Sequence, residues 1–206
     1  MIRALLNHYY DRARCDELEL KGFENCHVRG LHSIMLRDVP GDRLRMYFTT
    51  ASHELHHEPG SPKMALAAHT HHCDVTLIKV HGIAQSHYVN LRNGPGVWTK
   101  CEYISPIEHP EKGGLTAVQT GLDVEVCGGT IIPSCGQFLS AEVRHLVTVS
   151  RERCAAWLVL EGREDPGYSP FCYTTNPSFS TEGMYIPMDH NLALSYLREQ
   201  ISLIRE

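Results

Sequence analysis

Positions 69–74 hold three histidines, one cysteine and one aspartate, in the run Ala68-His69-Thr70-His71-His72-Cys73-Asp74. The run leads into the strand-like stretch Val75–Val80 and a turn glycine at Gly82. If the strand extends back through residue 69, alternate side chains share a face, and His69 and His71 project together toward one ion. A third ligand must then come from elsewhere. His145 is the candidate, because it opens a second strand-like stretch, Arg144–Val149. Three imidazoles on one side of a divalent ion leave the opposite positions open for water, substrate or dioxygen. With fourteen histidines in 206 residues, roughly one His-x-His pair arises by chance, so the spacing counts only in its strand context.

Other residues compete for the same chemistry. Tyr88 and His81, flanking the Gly82 turn with Lys79 and His87, are candidate proton-moving groups, against the simpler reading of exposure at a hairpin. The segment His53-Glu54-Leu55-His56-His57-Glu58 resembles a metal cluster but runs into Pro59-Gly60, which favours a solvated loop. Cys73 falls on the face of His71 and reads as packing rather than as a nucleophile. Arg163 and Glu164 read as a solvated strand end. Trp98, after the Gly94-Pro95-Gly96 turn, reads as packing beneath it, with ligand stacking as the lesser alternative.

The elements that must carry these residues are short and mostly β. Runs rich in β-branched, aromatic and aliphatic residues occur at Leu31–Arg37, Leu44–Thr50, Met64–Ala68, Cys73–Val80, Ile83–Leu91, Leu122–Val126, Thr130–Ile132, Arg144–Val149 and Ala155–Leu160. Turn signals separate them at Pro40-Gly41-Asp42, Asn93-Gly94-Pro95-Gly96, Lys112-Gly113-Gly114 and Gly128-Gly129. Such spacing predicts a sandwich or barrel. At the C-terminus Asp189 can cap a helix bearing Ala193, Leu194, Leu197, Ile201 and Ile204 at helical spacing, and residues 1–20 predict a shorter helix. The expected organisation is a helical arm over 1–27, a β-barrel over 28–165, and an irregular connection followed by a helix over 166–206. The segment Asp165–Met188, with prolines at 166, 170 and 177, reads as irregular throughout.

Composition narrows the function. Nineteen basic residues against 24 acidic ones give a net charge of −5 with no basic stripe, so nucleic acid is not the expected partner. No apolar run is long enough to cross a bilayer. A small-molecule substrate is the expectation. Eight scattered cysteines without a CxxC pair, and no charged-then-apolar leader at Met1, predict reduced thiols and a cytoplasmic protein.

His69-Thr70-His71 and Gly82 together resemble the first motif of the cupin superfamily, in which two histidines on a strand precede a glutamate and a glycine. Ser140-Ala141-Glu142-Val143-Arg144-His145 is similar to the second motif, keeping its histidine but neither its proline nor its glycine. The resemblance covers roughly residues 28–162. It implies a mainly β, double-stranded β-helix barrel that holds one divalent metal at its mouth on His69, His71 and His145, and it makes a homodimer a reasonable expectation. The glutamate position falls on Val75 or Thr76, and neither replaces a carboxylate, so the implied site is three-histidine. Such a neutral set leaves the ion's full charge to attract an anionic or thiolate substrate, and resembles the thiol dioxygenases, which use iron. Fe(II) is therefore the expected cofactor, with zinc, nickel, copper or manganese also compatible with imidazole ligands. A non-haem dioxygenase is the leading expectation. A metal-dependent isomerase or epimerase, and a non-catalytic metabolite binder, are the alternatives that the barrel equally allows. The same segment also resembles the 2-oxoglutarate-dependent iron oxygenases, with His72, Asp74 and His145 as ligands and Arg151 or Arg153 holding the cosubstrate. Residues 72 and 74 face away from 69 and 71 on a regular strand, so only one reading can hold.

Overall fold

The computed structural model describes residues 1–27, 30–50, 68–104, 114–149, 154–165, 167–175 and 185–205. The segment His53–Glu58, residues 64–67 of the expected strand, and both Arg151 and Arg153 lie outside these residues.

Two antiparallel sheets form the body of the chain. The first runs in the order β13 (Ile186–Met188), β1 (Lys21–Glu24), β2 (Leu31–Arg37), β3 (Arg43–Thr49), β11 (Ala156–Glu161), β5 (Val75–His81) and β9 (Gln137–Leu139). The second contains β10 (His145–Val149), β4 (Ala68–His69), β12 (Phe171–Thr174), the long β6 (Ala84–Ile104) and β7 (Gly114–Val126), with β8 (Thr130–Ile131) and β10 also paired to β6. Eight of these strands interleave. The set β3-β11-β5-β9 faces the set β4-β10-β6-β8, and the chain passes repeatedly from one to the other as it winds. That pairing is the jelly-roll winding of a cupin-like double-stranded β-helix, so the chain is mainly β, as its sequence predicts.

Strand patterns explain the layers. The unbroken apolar run of β11 is buried on both faces, which is why it does not alternate. Trp157 and Val159 point into the barrel with Val75, Leu77, Ala84, Ile132, Leu139 and Val149. Ala156 and Leu158 point outward, where Ile34, Leu36, Leu44, Met46 and Phe48 join them beneath two helices. These are α1 (Ile2–Arg14) and α2 (His190–Ser202), which contribute Leu6, Tyr9, Ala13, Ala193 and Leu197. Each fully buried leucine here contributes roughly 1.5–3 kcal/mol. Asp189 caps α2 as expected, its Oδ1 accepting from the Leu192 N–H at 2.8 Å. No helix among the described residues is long and apolar enough to cross a membrane.

The structure departs from the sequence expectations in several places. Asn93-Gly94-Pro95-Gly96 makes no turn: β6 continues through it, with register irregularities against β7 from Arg92 to Trp98. Glycine serves there because a Cβ on Gly96 would collide with the Leu122 backbone. Within 165–188, read as irregular, Phe171–Thr174 forms β12 and Ile186–Met188 forms β13, since ladder partners on β4, β6 and β1 outweigh the flanking prolines. Lys21–Glu24, inside the expected helical arm, is a strand between β2 and β13.

Candidate metal centre

His69 and His71 do not share one strand running on to residue 81. β4 ends at His69, a bend covers His72 and Cys73, and β5 starts at Val75 in the opposite sheet. Backbone and hydroxyl contacts hold this crossing. Thr70 Oγ1 accepts from the Phe171 N–H at 2.9 Å, and the His71 N–H donates to the Ala141 carbonyl at 3.0 Å. Asp74 Oδ1 accepts from the Ala141 N–H at 2.9 Å. The two imidazoles therefore converge because the crossing is pinned, and not through strand alternation.

The third imidazole arrives through the ladder. His145 is the cross-strand partner of His69 in the β10–β4 pair, and partners in an antiparallel ladder carry their side chains on one face. Ring centroids lie 4.6 Å apart for His69 and His145, 4.9 Å for His69 and His71, and 5.0 Å for His71 and His145. One nitrogen from each ring falls within 4.8 Å of the other two, and His71 Nε2 is 3.4 Å from His145 Nε2. Metal–nitrogen bonds of about 2.0–2.1 Å place neighbouring ligand nitrogens about 3–3.5 Å apart, so the cluster is of the right size for one ion.

The donor chemistry also fits. His145 Nδ1 lies 3.3 Å from the Val143 carbonyl, and since a carbonyl only accepts, Nδ1 carries the proton and Nε2 is left with its lone pair. Removal from water pushes His145 down to about 4 and holds His69 and His71 well below the ordinary histidine range, with mutual repulsion in the cluster adding to the shift for the latter two. All three are neutral at pH 7, which is the state a metal requires.

The remaining candidates separate cleanly. Among the described residues, His69, His71 and His145 are the one group of three close enough to share an ion. His72 turns to Glu164, with Nε2 3.4 Å from the carboxylate, and Asp74 is held by Ala141, so neither joins His145. His81 is not brought to the cluster either. Its Nε2 sits 2.9 Å from Gln200 Oε1 on α2, because residue 81 ends β5 on the helix-covered side. Tyr88 does reach the site's side of the sheet: it is the β6 partner of His145, 41% exposed, and accepts a hydrogen bond from Gln137 Nε2 at 3.3 Å. His87 points the other way, to Thr148 Oγ1 at 2.8 Å and the Cys127 carbonyl. Cys73 packs in the barrel interior with its thiol pushed up to about 11 by burial. Trp98 packs in a buried cluster with Ala68, Val89, Leu146 and Tyr173, as the packing reading expects. Glu164 pairs with Arg43.

A fourth histidine, His27, stacks its ring on His69 with centroids 6.0 Å apart and planes 14° apart. Its position ahead of β2 carries no periodic signal, and only the folded chain brings it to residue 69.

No protein-family model and no curated protein sequence matches the chain. Among solved structures it is similar to a DMSP lyase structure (16% identity, TM-score 0.34, covering 68% of this chain and 51% of that one). It is similar to hydroxypropylphosphonic acid epoxidase from S. wedmorenis (12% identity, TM-score 0.34, covering 66% of this chain and 53% of that one). A variant oxalate decarboxylase from B. subtilis matches at 14% identity and a TM-score of 0.33, covering 73% of this chain and 30% of that one. The chain thus spans about half the length of the first two and under a third of the last. Its cupin-like character rests on its own strand pairing and its three-histidine group.

Proposed function

We propose that this cupin-like barrel is a metal-dependent enzyme acting on a small molecule, with His69, His71 and His145 as ligands, Fe(II) as the ion and dioxygenation as the reaction. The observation that carries the reading is the cluster itself: three neutral imidazoles within 4.8 Å of one another and no carboxylate among them. When bound, such an ion supplies Lewis acidity and, as iron, redox chemistry with dioxygen.

The chain's own residues supply the rest. His145 is oriented by Val143, and its ring is buried. A neutral ligand set leaves the ion's positive charge uncompensated, which favours an anionic or thiolate substrate. Tyr88, opposite His145 and open to solvent, can hold or pass a proton at Oη with Gln137 steadying that oxygen. Its placement also supports a second reading, a metal-dependent isomerase or epimerase with Tyr88 as the proton-moving group. His81, committed to Gln200, takes no part in either.

The test is oxygen uptake by the iron-loaded protein over a panel of small thiols, carboxylates and keto acids. Substrate-dependent uptake abolished in His145→Ala supports dioxygenation. Turnover that persists without oxygen and is lost in Tyr88→Phe selects the isomerase reading, and ligand-induced thermal stabilisation without any turnover selects a binder.

A further inference from the structure

We infer that His27 is a positioning residue that holds the His69 imidazole in its ligating pose, itself clamped between Tyr47 and Tyr185. The inference rests on the three-histidine reading of the site.

The two outer ligands are not supported alike. His145 is fixed by its Nδ1–H donating to Val143. His69 Nδ1 is buried and, among the described residues, has no hydrogen-bond partner. What His69 has is a flat neighbour, the His27 ring, 14° from parallel at 6.0 Å. The two residues sit on different elements, so the stack exists only in the folded chain.

His27 is held at both nitrogens. Nε2 lies 3.3 Å from Tyr47 Oη on β3, and Nδ1 lies 3.1 Å from Tyr185 Oη just ahead of β13. The Tyr103 hydroxyl donates to Tyr185 Oη at 3.0 Å. An arrangement in which each group uses its donor once runs from Tyr103 to Tyr185, from Tyr185 to His27 Nδ1, and from His27 Nε2–H to Tyr47. Tyr47 is stacked in turn on Trp157 of the barrel core, centroids 5.8 Å apart and planes 17° apart. The clamp is therefore tied to the buried core of the barrel.

The backbone is shaped for the same purpose. Asn25 and His27 both adopt left-handed conformations, with φ of 57° and 64°. The turn is closed by Asn25 Oδ1 accepting from the Gly30 N–H at 2.9 Å and by the Cys26 N–H donating to the Leu31 carbonyl at 2.6 Å. Few residues other than glycine adopt that conformation, histidine and asparagine more readily than most, and such conformations gather at functional sites.

The experiment titrates Co(II) against a chromogenic chelator and records the cobalt absorption bands. It uses the wild type, His69→Ala, His27→Ala, His27→Phe and the double variant Tyr47→Phe/Tyr185→Phe. Expected is a loss of affinity of about 10–100-fold in His27→Ala with shifted bands. His27→Phe, which keeps a flat ring but no clamp, should restore part of it, and the double variant should weaken binding in the same direction by less. Cobalt retained in His69→Ala overturns the three-histidine reading and this inference with it. Cobalt lost in His69→Ala, but bound within twofold of wild type and with unshifted bands in His27→Ala, overturns the inference alone. Should His27→Ala fail to fold, unchanged affinity and bands in the tyrosine double variant do the same.

Discussion

His145 and His69 are direct cross-strand partners in the β10–β4 ladder, their ring centroids 4.6 Å apart, although they come from distant parts of the chain. The ladder register is thus the device that brings these two imidazoles of the candidate metal centre together. A shift of β10 by one residue would turn His145 to the opposite face and present Leu146 in its place.

Metal content should follow this geometry. Elemental analysis of freshly purified protein is expected to show bound metal in the wild type and near-complete loss in His69→Ala, His71→Ala and His145→Ala. Asp74→Ala and His72→Ala should retain it, because Asp74 serves Ala141 and His72 faces Glu164. Undiminished metal in all three histidine variants would sink the site.

Asp74→Ala is instead expected to cost stability. Its carboxylate accepts from the Ala141 backbone and pins the β4–β5 crossing to the approach to β10. Loss of that hydrogen bond should cost about 1 kcal/mol, read as a lower denaturant midpoint at unchanged slope. An unmoved midpoint would show that the crossing does not depend on it.

Gly82→Ala is expected to be more damaging than an ordinary turn substitution. Gly82 has φ of 70°, and a Cβ there would collide with the Cys154 carbonyl and lie 2.7 Å from Ala155 Cα. Strain and backbone clash act together, so a loss of several kcal/mol, of the order seen for the largest single-site effects, is expected. Thermal unfolding within a degree or two of wild type would contradict it.

The His81–Gln200 contact predicts a pH dependence. Burial lowers the His81 pKa, and Gln200 offsets this only in part. The unfolded chain, with histidine near its ordinary value of about 6.5, therefore binds a proton more readily than the folded one. The stability that neutral His81 provides is complete above that value and is lost as the pH falls below it. Denaturant midpoints measured from pH 7.5 to pH 5 should fall less steeply in His81→Gln than in wild type. Parallel curves would show that His81 is not a source of the acid sensitivity.

Leu158→Ala tests the layer that carries the helices. Leu158 is 1% exposed in the cluster shared by the first sheet, α1 and α2. Truncation should cost about 2–5 kcal/mol. Metal stoichiometry in the folded fraction should be unchanged, because the cluster lies on the opposite face of the sheet from the barrel interior. A loss below 1 kcal/mol would mean that the helices contribute little.

Much of the fold was legible in the chain. Ala155–Leu160, Leu31–Arg37 and Arg144–Val149 become β11, β2 and β10 to within a residue, and Asp189 caps α2. The three clustered histidines were also named from the chain, although the strand alternation that singled out His69 and His71 is not what brings their rings together. Other features were not. The Gly94-Pro95-Gly96 signal is local and says turn, yet β7 provides partners that carry β6 straight past it. His81 lay near Gly82 in sequence, but the face it occupies belongs to α2.

Sequence by itself determined the alternation of faces within a strand, the cap of α2 and the supply of imidazoles, because these depend on neighbours within a few residues. Only the tertiary structure decided that β4 and β5 lie in opposite sheets, that His145 stands beside His69, and that His27 backs the site between two tyrosines. Those relations depend on which strands pair and in which register, a choice made by burying both sheet faces at once across the whole chain.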